Sequence, residues 1–149
     1  MGYWKLVEPI WETVSIYDGG DTFLEQYSAA PLPSQVLFAA HWTQSEVLNG
    51  GFGQFFSNST GVLAPEAVAA FKALGMPKTA AAVEQAMSFF GQPYPRDREP
   101  REEALEAGFD QHGDDFDPFQ EADNVFFETI EEENGGFASA ADTYAAANG

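Results

Sequence analysis

The side chains best equipped for chemistry in this chain are carboxylates: 24 acidic residues stand against 6 basic ones, with two histidines and no cysteine. Among them, Glu46, Asn49, Gln54 and Asn58 flank a glycine break and are interleaved with Phe52, Phe55 and Phe56. Such a group serves one of two ends. It lines a small polar pocket for a ligand or a reaction, or its amides and carboxylate satisfy backbone groups left exposed where two helices meet. Metal chemistry finds little support. A calcium loop started at Asp110 has Asp115 where glycine is required, and one started at Asp115 breaks down at Phe119 and Gln120. Asp110, Asp114, Asp115 and Asp117 therefore read as a solvated acidic loop. His41 and His112 lack the paired spacing of a zinc hydrolase, and His41, beside Trp42 in a helical stretch, reads as structural. There is no Gly-x-Ser-x-Gly nucleophile elbow. Gly50-Gly51-Phe52-Gly53 has neither the strand before it nor the Lys-Ser/Thr behind it that a phosphate loop needs. No catalytic constellation, metal site or cofactor site is expected.

The distribution of charge is more informative than any one carboxylate. Residues 97–149 carry 16 acids and 2 bases, and residues 1–96 carry 8 acids and 4 bases, so the last third holds −14 of the formal −18. A field of that sign repels nucleic acid and anionic membranes and attracts basic partners. A salt-adapted protein would spread its acids over the whole surface; this one concentrates them. The chain is not a disordered acidic tail, because 44% of it is hydrophobic and it carries 14 Phe, 5 Tyr and 3 Trp. The N-terminal Met-Gly-Tyr-Trp-Lys lacks a signal-peptide pattern, and Leu6 stands where myristoylation wants Ser or Thr. No apolar run reaches membrane-spanning length. The expectation is a cytoplasmic protein that touches neither membrane nor nucleic acid directly.

Helical periodicity accounts for the elements that must position these groups, and no segment shows sustained β alternation. Helices are expected over 9–17, through Gln26 with Asp21 as its cap, over 34–48 with Ser34 as N-cap, over 52–56, from Pro65 to Leu74, from Pro77 to Phe90, over 101–107, over 119–133 and over 137–147. Asn49-Gly50-Gly51 and Asn134-Gly135-Gly136 are the stops, Ser57–Gly61 a polar loop, 91–100 a proline-rich turn and 108–118 an Asp-rich loop. In helix 119–133, Phe119, Phe126 and Ile130 fall within about 40° of one another, while Glu121, Glu128, Glu131 and Glu132 fill an opposite sector about 100° wide. The expected fold is all-α: residues 1–149 form a single domain of seven to nine short helices, with a core over about 20–90 and a strongly acidic region over 97–133.

Residues 32–61 contain Glu46-Val47-Leu48-Asn49-Gly50-Gly51-Phe52-Gly53-Gln54-Phe55-Phe56-Ser57-Asn58-Ser59-Thr60-Gly61. This run resembles the Glu-Val-x-Asn-Gly-Gly-Phe-x-Gln-Phe-Phe-x-Asn-x-x-Gly signature of a bacterial family whose best-described members are DNA mimic proteins. The similarity extends over about 20–90 and is loose beyond. The resemblance implies an all-helical fold, and in at least one member a dimer whose acidic surface copies duplex DNA and holds a transcription regulator off its operator. It carries no catalytic role onto Glu46, Asn49, Gln54 or Asn58, and the signature, with Gly50, Gly51, Phe52, Phe55, Phe56 and Gly61, marks the fold.

Mimicry itself must rest on charge. Carboxylates at i, i+3 and i+4 on a helix stand about 5–6 Å apart. Glu99, Glu102, Glu103, Glu106, Asp110, Asp114, Asp115, Asp117, Glu121, Glu128, Glu131 and Glu132 are the candidates for a phosphate-like ridge that binds a basic DNA-binding protein, with a homodimer as one way to extend it. The same face would suit an immunity protein that blocks a basic toxin such as a nuclease. A small-ligand or enzymatic domain built on Glu46, Asn49, Gln54 and Asn58 is the third expectation.

Overall fold

The computed structural model describes residues 2–149; Met1, part of the N-terminal pattern considered above, lies outside the described residues. Among the described residues the chain folds into eight α-helices with four short 3₁₀ turns and no strand. In chain order the helices are α1 (Trp4–Val7), α2 (Gly20–Ala29), α3 (Leu32–Ser57), α4 (Ala64–Ala73), α5 (Pro77–Met87), α6 (Arg98–His112), α7 (Gln120–Glu132) and α8 (Phe137–Asn148). The all-α expectation holds.

The long α3 is the axis: α1, α4, α6, α7 and α8 all pack against it, α5 packs on α4, and α7 closes over α5. Its sequence explains that place. Val36, Leu37, Phe38, Ala39, Ala40, Thr43 and Val47 are buried on its first half, and Phe52, Phe55 and Phe56 are fully buried on its second. Around these rings stand Phe71, Phe119 and Phe126, also fully buried. Phe52 meets Phe126 edge-on at 5.4 Å, and Phe56 lies 5.2 Å from Phe119. Each such ring contributes about 1.5–3 kcal/mol on burial, which is how the core offsets the self-repulsion of the acidic chain.

The glycine stop inside α3 is a kink. Gly50 and Gly51 leave helical geometry, and Gly51 has φ +75°, a conformation natural only to glycine. The second half of α3 thus has its own N-terminus. The Asp123 carboxylate of α7 accepts the Phe52 N–H at 2.7 Å, satisfying one of the exposed donors there.

Several expected boundaries move. The expected helix over 9–17 does not form: a 3₁₀ turn at Glu8–Ile10 is followed by irregular chain, and the Ser15 N–H bonds the Gln26 side chain at 2.7 Å instead of a helical carbonyl. Ser34 does not cap α3, which begins at Leu32 with proline in its first turn, and Ser34 is buried within it. Asp21 does not cap α2 either: Gly19 holds that position with φ +91°, and the Gly20 N–H donates to Asp97 at 2.8 Å. Ser57–Gly61 gives way to a 3₁₀ turn over Ser59–Leu63. The helix expected over 101–107 runs instead from Arg98 to His112, shortening the Asp-rich loop to about residues 113–119. Pro100 is tolerated because the first-turn N–H groups have no partner within the helix.

Candidate protein-interaction face

Two acidic helix faces and the loop between them hold the candidate binding carboxylates. On α6, Leu105 and Gly108 face inward with Arg101, whereas Glu99, Glu103, Glu106 and Asp110 are exposed. At 100° per residue the α6 carboxylates, Glu102 included, occupy a stripe about 100° wide. Glu102 differs from the rest: it is half-buried and paired with Arg98 at 2.6 Å. On α7, Ala122, Phe126 and Ile130 are buried, and Glu121, Glu128, Glu131 and Glu132 are exposed. Asp114, Asp115 and Asp117 are exposed in the loop, and Asp117 also accepts the Phe119 N–H at 3.2 Å to start α7. No group of three or more metal-ligating side chains forms among the described residues.

The four acids of residues 97–149 outside this set do a different job. Four carboxylates reach across the fold to satisfy backbone N–H groups at helix starts. Asp97 serves α2, Asp123 serves the second half of α3, and Asp142 accepts the Tyr3 N–H before α1 at 2.9 Å. Glu133 accepts from Lys78 N at 2.7 Å and Thr79 N at 2.8 Å at the start of α5, and from the Thr79 hydroxyl at 2.9 Å. Negative charge at a helix N-terminus is favourable both as hydrogen-bond acceptor and toward the helix dipole. Burial pushes the Asp123 carboxyl above its ordinary value, and the Phe52 N–H bond opposes that rise. The C-terminal acids thus divide into caps bonded to distant backbone and an exposed face. Sequence reasoning did not single out the caps, because their partners lie 54 to 139 positions away.

The arginines are spent internally as well. Arg96 makes a two-pronged pair with Glu66 at 2.8 and 2.9 Å. Arg101, also missed from sequence, is fully buried and donates to the carbonyls of Phe56, Asn58, Pro95 and Arg96, at 2.9 Å for both Phe56 and Asn58. Its guanidinium closes the C-terminal end of α3, where a cation is favoured. This explains Gly61 of the signature: a Cβ there would lie 2.6 Å from Arg101 Nε. Tyr94 finishes the junction by donating to the Gly61 carbonyl at 2.6 Å, and burial pushes its hydroxyl pKa up. The available signal was spacing: Arg101, Leu105 and Gly108 sit at i, i+4 and i+7 on one face.

Glu46, Asn49, Gln54 and Asn58 do come together. Glu46 accepts from Gln54 at 3.1 Å, Asn58 at 2.9 Å and Thr60 at 3.1 Å, and Asn49 donates to Gln54 at 3.2 Å. Thr60 also bonds the Phe55 carbonyl at 3.0 Å. The network ties both sides of the glycine kink to the turn after α3. It borders an open groove of about 290 Å³ that includes Tyr17, Trp42 and Arg98. Each of the four polar side chains bonds another of them, so the group works as a strut for the kinked helix.

No curated protein and no solved structure matches the chain. A family model described as DMP19-like protein matches residues 28–148, which take in the signature, the kinked α3, Arg101 and both acidic helices. The chain belongs to the DMP19-like protein family.

Proposed function

We propose that this protein is a non-enzymatic DNA mimic that occupies the DNA-binding surface of a transcription regulator or another basic DNA-binding protein. The observation that carries it is the division of labour among the C-terminal carboxylates: four are engaged as caps on distant backbone N–H groups, and nearly all the rest stand exposed on α6, α7 and their connecting loop with one basic partner, Arg98, among them.

The spacing supports it. Glu99 to Asp110 places five carboxylates over about 16 Å of helix axis, or roughly one per 4 Å. One strand of duplex DNA presents one phosphate per about 3.4 Å of axis. Membership of the DMP19-like family points the same way. The arrangement suits a partner whose groove is built to neutralise phosphates, and the field would steer that partner onto the face. Capture at low salt from the native lysate tests this: the protein retained should bind DNA by itself and be released by added salt and by duplex DNA. Retention of neutral or acidic proteins alone would contradict it.

A further inference from the structure

Fourteen phenylalanines are present, and among the described residues Phe109 and Phe127 are the exposed ones, at 47% and 40%. Each lies on one of the two acidic helices. On the helical wheel Phe109 falls within about 20° of Glu102, and Phe127 within about 40° of Glu131. Both rings therefore stand at the border between the buried face and the carboxylate stripe.

Phe109 is also held in place. Its ring packs edge-on against Phe116 at 5.4 Å, Phe116 lies 5.8 Å from Phe89, and Phe89 meets the buried Phe119 at 5.4 Å. His112 stacks on Phe116 at 5.4 Å and 13°. Gly108 makes the column fit: a Cβ there would lie 2.3 Å from the Phe116 ring. Glycine inside a helix costs about 1 kcal/mol relative to alanine. Here it lets a loop aromatic seat against α6 and support an exposed ring from below. A ring fixed before binding loses little freedom when it is covered.

A surface that imitated phosphates alone would need no such ring. Resting on the proposed charge-driven function, we infer that the partner surface is that of a cationic amphipathic helix. Its Lys/Arg face meets a carboxylate stripe, and its apolar side chains cover the ring at that stripe's border, Phe109 on α6 or Phe127 on α7. Charge complementarity sets the sign of the partner, and the bordering ring sets its amphipathic character. Aromatic side chains desolvated within a charged surround are the usual source of affinity that persists when salt screens the charges.

Two synthetic helical peptides of equal length and lysine content provide the test, one with a leucine stripe and one with glutamine in its place. Titrations are followed by anisotropy across a salt series against the full chain and its F109A/F127A variant. The wild-type chain should bind the Lys/Leu peptide at least about ten-fold more tightly than the Lys/Gln peptide. The double variant should lose that preference to within about two-fold while binding the Lys/Gln peptide as wild type does, with the same salt slope. Equal affinity for the two peptides, or a preference that survives in the double variant, would overturn the inference and leave the charge-driven function standing. Failure to bind either peptide, or binding indifferent to salt, would overturn both.

Discussion

Arg101 shows how one side chain fixes the use of its neighbours. Among the described residues it is the one basic residue that is fully buried, and it meets four backbone carbonyls and no carboxylate. The planar fork matters more than the charge, because an ammonium group cannot reach several carbonyls in one plane. R101K should therefore destabilise by about 3 kcal/mol or more, lowering the Tm by roughly 6–12 °C. Thermal unfolding followed by circular dichroism checks this, and an unchanged Tm would remove Arg101 from the account of the signature. His41 supplies the pH dependence. Tyr3 and His41 share a 2.9 Å bond within a cage of Trp4 and Trp11, and burial lowers the His41 pKa. A histidine depressed in the folded state takes up its proton more readily when unfolded. Its contribution to stability is complete above the ordinary value of about 6.5 and is lost as pH falls from there toward the lower folded value. H41Q should flatten the stability difference between about pH 7 and pH 5 relative to wild type; denaturant titrations with parallel slopes in the two proteins would contradict this.

Helix ends are the level at which apparently equivalent acids separate. Glu131, Glu132 and Glu133 are consecutive, yet only the last reaches the start of α5. E133A should cost about 1–2 kcal/mol, whereas E131A should stay within about 0.5 kcal/mol of wild type. Equal losses in chemical denaturation would refute the division between caps and face. The same level marks what the sequence could and could not reveal. The α7 amphipathicity, the Gly50-Gly51 break and the Pro65 and Pro77 helix starts were legible because each is encoded within a few residues. The length of α6 was not, because Gly108 reads as a stop until Phe116 is known to fill the space beside it. The N-terminal segment misled for a related reason: Val14 and Ile16 are both buried, an i, i+2 pair that a helix would place on opposite faces, because a side chain from α2 holds the intervening backbone. The cluster around Glu46 was legible as a group, and its bonding as a strut for the kink emerged only with the fold.

At the scale of the whole molecule, a scaffold and a surface are combined in one chain. The signature builds the kinked α3 and its junction with Arg101, while the exposed charge lies mainly on α6, α7 and the loop between them. The two are joined by Asp123 and Arg101, which stand on the acidic helices and close the two ends of the second half of α3. The central claim, that the outward carboxylates take the place of DNA phosphates, is tested most directly by competition. A DNA-binding protein retained in low-salt capture is loaded onto labelled duplex and titrated with this chain over a salt series. Displacement of the duplex is expected, with an affinity that falls steeply as salt rises and is weakened at least about ten-fold by E103Q/E106Q/D110N together. A stable three-part complex with the duplex still bound, or displacement unaffected by that triple variant, would contradict the account.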